Sequence, residues 1–404
     1  MRELLWVGDA ACPSGFAVGT HGVCKALHGP YNVTVLGMNY RGDPLHGKYP
    51  YDIYAAAVAG DSMGVGRIVW MCDHIKAERG RKPDVIVIQN DPWNVPLYIN
   101  QLQLFAEYKD IPVVGFVAVD GKNCRGDQYL NGLALCIFWT KFGLDEAREG
   151  GFTKPGVVIR LGVDRELFKP EDMLEARKNL GMPDVFNRAF IVANVNRNQP
   201  RKRWDLSIKY FANWIAKYGV RDAILLLHVA PTGDIGVDIG DLARYYGIMD
   251  YVRTITTDTW YGLPREKMRH VYCASDVQIT TTQGEGLGLT TLESMACGRP
   301  NIVPTWAALG EWADGAVQIP CSSTVIGPPY VNVLGGVVDK EPFVEALNRL
   351  YSDPRFYAQQ QKAALACASR SEFDWEVIGA QFLGALEGVL APLGVEQGEP
   401  SWSR

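Results

Sequence analysis

Short apolar runs recur along this chain at intervals that leave room for a helix, and they do so in two series. The first series lies at residues 4–9, 33–37, 84–89, 113–119 and 135–139, the second at 190–195, 223–229, 251–255, 277–282 and 301–304. The runs of the first series are continuously apolar instead of alternating with polar residues, the pattern of a strand covered by helices on both faces of a parallel sheet. Two βα series therefore predict an α/β chain of two doubly wound, Rossmann-like domains. A length of 404 residues suits two domains of roughly 150–200 residues each. The expected division is 1–165, 166–370, and a closing helix with a polar tail over 371–404. Ligands of such sheets bind beyond the carboxyl ends of the strands, so two facing domains share one cleft.

The most informative local stretch is 277–300. A β-branched run, Val277-Gln278-Ile279-Thr280-Thr281-Thr282, leads into Gln283-Gly284-Glu285-Gly286-Leu287-Gly288. Good helix formers follow and stop at Gly298, before Arg299-Pro300. A strand, a glycine turn and a helix aim bare N–H groups and a positive helix end at the space above the strand, which suits a phosphate. Gly286, Gly288, Leu289 and Thr290 supply that backbone. Glu285 in the turn reaches hydroxyls of a bound group, and Glu293, two turns on, accepts from a second set. A diphosphate flanked by two polyols is a nucleotide-sugar. The bare pattern also fits a common α/β turn with Glu293 as a solvated helix residue.

Composition narrows the class. Hydrophobic content of 47% and charged content of 21% are those of a soluble globular enzyme. Nine cysteines without a CxxC pair fit core thiols in a reducing cytoplasm, neither a disulfide framework nor a zinc site. The sequence opens on a strand, so no signal peptide is expected, and no apolar stretch approaches the roughly 18–20 residues of a membrane span. The net charge of −5 falls in the second part, because residues 1–165 carry 17 Lys+Arg and 17 Asp+Glu. A neutral first domain lacks the basic field of a strong DNA or anionic-membrane binder.

Further candidates follow strands. The small-residue turn with Ser14 and Gly15 lets backbone approach a phosphate or sugar, or is a plain tight turn. Asn196-Arg197-Asn198-Gln199-Pro200-Arg201-Lys202-Arg203 is a cationic loop, either solvated or beside the cleft. Asp120 and Asp91 end strands of the first domain, as hydroxyl binders or as turn and cap aspartates. The six histidines show no metal-ligand spacing, so no metal site is expected.

Glu285-Gly-Leu-Gly-Leu-Thr-Thr-Leu-Glu293-Ser-Met-Ala-Cys-Gly-Arg-Pro300 resembles the signature of the retaining group 1 glycosyltransferases of GT-B fold. The resemblance implies two facing domains with an interdomain cleft, the second holding the donor. It places the first glutamate beside the donor sugar and the second on the nucleotide ribose. Arg197 and Lys202 match the family's cations on the diphosphate, with Arg201 and Arg203 as alternatives in register. Ser14 and Gly15 match its N-terminal glycine loop, and Asp120 stands where many relatives carry a histidine. The segment 158–170 resembles the interdomain linker, and the last helix is expected to cross back to the first domain. The implied donor is a UDP- or GDP-sugar, with no prosthetic group and no divalent metal. The implied reaction is retaining transfer to a hydroxyl acceptor: a glycan, lipid carrier or small molecule. Alternatives are a phage-type enzyme acting on hydroxymethylated DNA bases in a host cytoplasm, and a GT-B epimerase or phosphorylase.

Overall fold

The structure is a computed structural model and describes all residues except 13, 46, 230–235, 256–261, 328–330 and 392–404. The expected polar tail at 395–404 lies outside the described residues. The first sheet contains β1 (Arg2–Asp9), β2 (Tyr31–Met38), β3 (Asp52–Ala55), β4 (Val85–Asn90), β5 (Val113–Val117), β6 (Leu135–Phe138) and β7 (Gly156–Val158). Their order is β3-β2-β1-β4-β5-β6-β7, and every pairing is parallel. The second contains β8 (Phe190–Val195), β9 (Ala223–His228), β10 (Val252–Ile255), β11 (Val277–Ile279), β12 (Asn301–Pro304) and β13 (Val317–Ile319). Its order, β10-β9-β8-β11-β12-β13, repeats the first and is also parallel. In both sheets the order reverses beside the first strand, which opens a crevice there at the carboxyl edge.

Continuous burial of β1 and β4 follows from helices on both faces. Packing against helices is tight. Leu4, Trp6 and Val87 face one core cluster and Leu5, Val7, Ile86 and Ile88 face another, on opposite sides of the sheet. Seven of the nine cysteines are buried and none is in a disulfide, as small apolar core residues are.

Several elements depart from the expectation. The run 277–282 stops being strand at Ile279, because Thr280, Thr281 and Thr282 turn their hydroxyls into hydrogen bonds that shape the following loop. Residues 156–158, the last of which opens the expected linker, form an edge strand that was not among the expected runs. The short edge strands β3 and β13 carry too few residues for a clear apolar run. A two-stranded antiparallel hairpin, β14 (Ser323–Gly327) and β15 (Val333–Val337), was not anticipated.

The C-terminal helix Trp375–Leu390 lies against helix Gly15–Leu27 of the first sheet. Both helices present a glycine at the contact. A Cβ on Gly22 would meet Trp375 at 2.3 Å, and one on Gly379 would meet Ala26 at 2.4 Å. Glu387 at its far end takes hydrogen bonds from Arg2 and Tyr31 at 2.6 and 2.7 Å. The connection between the sheets is also tied down: Arg165 reaches Asp374 at 2.5 Å, and Arg160 bridges Glu311 and Glu372. Among the described residues no helix is long and apolar enough to cross a membrane.

Candidate active site at the interdomain cleft

The turn after β11 is pressed against the first sheet. A Cβ on Gly284 would fall 1.7 Å from the Asp120 carbonyl oxygen, and one on Gly286 would fall 2.6 Å from the Ala118 Cβ. Only glycine permits that approach, and it brings Glu285 within the reach of first-domain residues. Helix Leu289–Ala296 then starts from Gly288 at φ 93°, a left-handed conformation suited to glycine. Gly298, at φ 72°, supplies the left-handed stop expected after the helix.

Glu285 is 9% exposed and fully paired. Lys202 Nζ lies 2.5 and 2.7 Å from its two carboxylate oxygens, and Arg201 Nη1 is 3.3 Å from Oε2. Burial works to raise the Glu285 pKa, but Lys202 and Arg201 outweigh it and hold the carboxyl below its ordinary value. Burial, and then Arg201, push the Lys202 ammonium down against the pull of Glu285. Arg201 completes the cluster by donating to the Gly284 carbonyl at 2.6 Å and approaching Asp120 Oδ2 at 3.2 Å. One guanidinium thus joins the turn after β11 to the segment that follows β5.

The first domain contributes carboxylates. Asp120 is raised by burial, opposed by Arg201, with Glu285 adding to the rise; the Gly286 N–H also donates to it. Asp91, after β4, is pushed up to about 7, first by burial and then by Asp120, against Arg201. Asp9 ends β1 and holds the loop that follows it. Ser14 Oγ donates to Asp9 at 2.8 Å, and the Ala17 N–H donates to Ser14 Oγ as a helix N-cap worth about 1 kcal/mol. A Cβ on Gly15 would sit 3.4 Å from Leu289, so this loop faces the first turn of helix Leu289–Ala296.

Glu293 is half-buried on the same helix. The Tyr272 hydroxyl donates to it at 2.8 Å, from helix Arg265–Ala274. Burial pushes Glu293 up to about 7, with Arg265 and the Tyr272 bond acting in the opposite sense. Thr290 gives its carbonyl to Gln278 at 2.8 Å, which fixes the helix start over β11. Arg197 is exposed at the end of β8, and its carbonyl accepts from Trp204 at 2.9 Å. Its charge opposes the rise that burial and Asp9 impose on the Cys12 thiol, which is raised to about 12, so Arg197 lies toward the Ser14 loop.

The cleft therefore brings together Ser14, Gly15, Asp91, Asp120, Lys202, Glu285 and Gly286, with Glu293, Leu289 and Thr290 along one helix. Arg203 turns away: it caps the next helix at φ 50° and pairs with Asp205. Sequence reasoning left Arg201 as an alternative and missed Tyr272 and Asp9. Tyr272 carries no sequence signal, because only the fold sets its helix beside Glu293. Among the described residues, no group of three His, Cys, Asp or Glu side chains is placed to hold a metal ion.

Residues 190–353 match the family model for glycosyl transferases group 1. The chain is 29% identical over 233 residues to a D-inositol 3-phosphate glycosyltransferase of Kribbella flavida, covering 56% of this chain and 50% of that protein. It thus spans about half the length of that relative. Sucrose-phosphate synthase from Thermosynechococcus elongatus superposes with a TM-score of 0.73 at 16% identity, over 96% of this chain and 99% of that one. Anabaena HepE in complex with UDP-glucose gives 0.69 at 15% identity, over 96% and 100%. Residues 190–353 thus match a group 1 glycosyltransferase domain, and the whole chain has the two-sheet GT-B fold.

Proposed function

We propose that this chain transfers a sugar from a nucleoside diphosphate sugar, with UDP as the nucleotide, to a hydroxyl group, retaining the anomeric configuration. The observation that carries the reading is the pair Glu285 and Glu293 on one turn and helix, with Lys202 and Arg201 against the first of them. HepE and trehalose-6-phosphate synthase, on the same framework, are described with UDP-glucose and UDP-2-fluoro glucose. That supports a UDP-sugar donor here.

On this reading the donor lies across the start of helix Leu289–Ala296. Its diphosphate meets the helix N–H groups, Arg197 and Lys202, and its ribose meets Glu293. The leaving diphosphate gains charge as the glycosidic bond breaks, and cations beside it stabilise that change. Once the diphosphate competes for Lys202, Glu285 is released toward the sugar hydroxyls. The leaving phosphate oxygen then takes the acceptor proton as the acceptor oxygen attacks on the same face. No separate protein base enters that step. Asp120 and Asp91 face the acceptor side. Domain boundaries near 165 and 370 fit this division of labour, with the donor chiefly on the second part.

The nucleic-acid alternative gains nothing from the geometry, since Asp9, Asp91 and Asp120 line the first sheet's edge. The test is a screen of UDP- and GDP-sugars for release of nucleoside diphosphate by the full chain. Turnover of a UDP-sugar, with the α configuration of donor and product matching by NMR, is the expected result. Turnover of no nucleotide-sugar, or an inverted product, contradicts the proposal.

A further inference from the structure

Helix Lys141–Glu149 belongs to the first domain, yet part of the cap on its amino end comes from the second. Thr140 Oγ1 accepts the Gly143 N–H at 3.1 Å, an ordinary N-cap from the adjoining chain. The two N–H groups ahead of it, those of Lys141 and Phe142, donate to the Glu311 carboxylate at 3.2 and 2.5 Å. Such groups have no partner inside a helix, and a carboxylate there also meets the positive end of the helix dipole. Arg160, in the connection between the sheets, donates to Glu311 at 2.7 Å and to Glu372 at 3.1 Å. The Arg160 and Glu311 side chains are 14% and 19% exposed, which spares the pair most of the screening that weakens surface ion pairs.

The elements that carry this cap also carry the turn after β11. Glu311 lies on the short helix Ala307–Trp312 of the second domain. Its neighbour Trp312 donates from Nε1 to the Leu287 carbonyl at 2.7 Å, and Leu309 stands 2.7 Å from where a Cβ on Gly288 would lie. On the first domain, Trp139 immediately precedes Thr140, and its Cε3 is 3.1 Å from where a Gly286 Cβ would lie. The turn bearing Glu285 is thus supported on one side by helix Ala307–Trp312 and on the other by the residues leading into helix Lys141–Glu149, and Glu311 bonds one support to the other. We propose that Glu311 is a positioning residue: by capping a first-domain helix from the second domain, it sets how closely the turn bearing Glu285 lies against Asp120. The inference rests on the glycosyltransferase reading for its effect on rate, and it adds a residue outside the Glu285–Glu293 motif. The Glu311 oxygens are taken up by Lys141, Phe142 and Arg160, so it acts through the turn and not by touching substrate. Small displacements there matter because transfer depends on the two domains holding their groups in attack geometry.

The experiment compares the full-length parent, Glu311→Ala and Glu311→Gln by amide hydrogen exchange, by UDP titration calorimetry and by turnover of the UDP-sugar found by screening. In Glu311→Ala, exchange at Lys141 and Phe142 should quicken at least tenfold. Exchange at Gly286, whose N–H donates to Asp120, should quicken at least threefold. Gly143 keeps its Thr140 partner and should stay within twofold of the parent. The kcat should fall at least fivefold with the Kd for UDP within twofold. Glu311→Gln keeps an oxygen for one of the two N–H groups, so it should show the same pattern at smaller amplitude and a higher kcat than Glu311→Ala. It also carries the test if the alanine variant does not fold. Unchanged exchange at Lys141 and Phe142, equal quickening at Gly143, unchanged exchange at Gly286, or a fall in kcat of less than fivefold in Glu311→Ala overturns the proposal. A UDP affinity that weakens as far as kcat falls, or a glutamine variant no better than alanine, does the same. If the parent turns over no nucleotide-sugar, the donor reading falls, and exchange at the four amides alone decides the role of Glu311.

Discussion

Glu293 sits half-buried on helix Leu289–Ala296, where it accepts a hydrogen bond from Tyr272. Burial raises its pKa to about 7, while the unfolded chain releases the same proton in the ordinary carboxylate range near 4.3. Between those values the folded protein binds more protons than the unfolded one, so stability falls as pH rises through that window. Glu293→Gln removes the ionisation and keeps an oxygen to accept from Tyr272. It should raise the thermal midpoint of ligand-free protein at pH 8 and leave it nearly unchanged at pH 4.5. Equal shifts at both pH values would show that this carboxyl titrates normally. Asp120 gives a second residue-scale expectation. Its ion pair with Arg201 ties the turn after β11 to the first sheet, so on the proposed reading Asp120→Asn should lower kcat at least tenfold with a smaller change in nucleotide affinity. Wild-type kinetics would make Asp120 a turn-capping aspartate, and the first-domain site would have to be sought at Asp91 or the Ser14 loop.

At the scale of elements, the strand–turn–helix unit over 277–298 was legible because its parts are contiguous. The β-branched run, three glycines and the helix formers each act locally, and Glu285 and Glu293 inherit their positions from that order. What was not legible depends on partners distant in sequence. Arg201 takes its role from Asp120 and Gly284, which lie 81 and 83 residues away. The β14–β15 hairpin pairs a half-exposed strand with one that carries two adjacent glycines, both only five residues long, and its place over the first domain is decided by the Lys122 and Leu334 backbone bonds. The Gly286 approach also exists only between domains. Gly286→Ala adds one methyl group 2.6 Å from Ala118 Cβ and 3.1 Å from Asp120 Oδ1 and Trp139 Cε3. Relief requires the turn to move off the first sheet. Misplacement of about 1 Å costs on the order of 100-fold in rate when geometry is what a site supplies. Transfer by Gly286→Ala should therefore fall by about that factor, with nucleotide affinity within a few-fold. An unchanged rate would mean that the contact between turn and first sheet plays no part in turnover.

At the scale of the whole molecule, two sheets of the same strand order face one another, held by the connection through Arg160 and Arg165 and by the returning helix Trp375–Leu390. The apolar runs made the two-sheet organisation legible, since buried parallel strands leave that trace. They left the short edge strands β3, β7 and β13 unmarked. On the proposed reading the two sheets matter to function because donor and acceptor groups belong to different ones, and transfer needs both in attack geometry. On the proposed reading Glu285 serves the reacting sugar and Glu293 the nucleotide. The most direct measurement compares Glu285→Ala and Glu293→Ala with the parent, reading kcat for transfer from the UDP-sugar found by screening and the Kd for UDP. Glu285→Ala should lose at least 100-fold in kcat with Kd for UDP nearly unchanged. Glu293→Ala should weaken UDP by roughly 1.5–3 kcal/mol, the worth of hydrogen bonds to a charged group, with a smaller effect on kcat at saturating donor. Near-parental kcat and Kd in both variants would contradict the assignment of this cleft as the donor site.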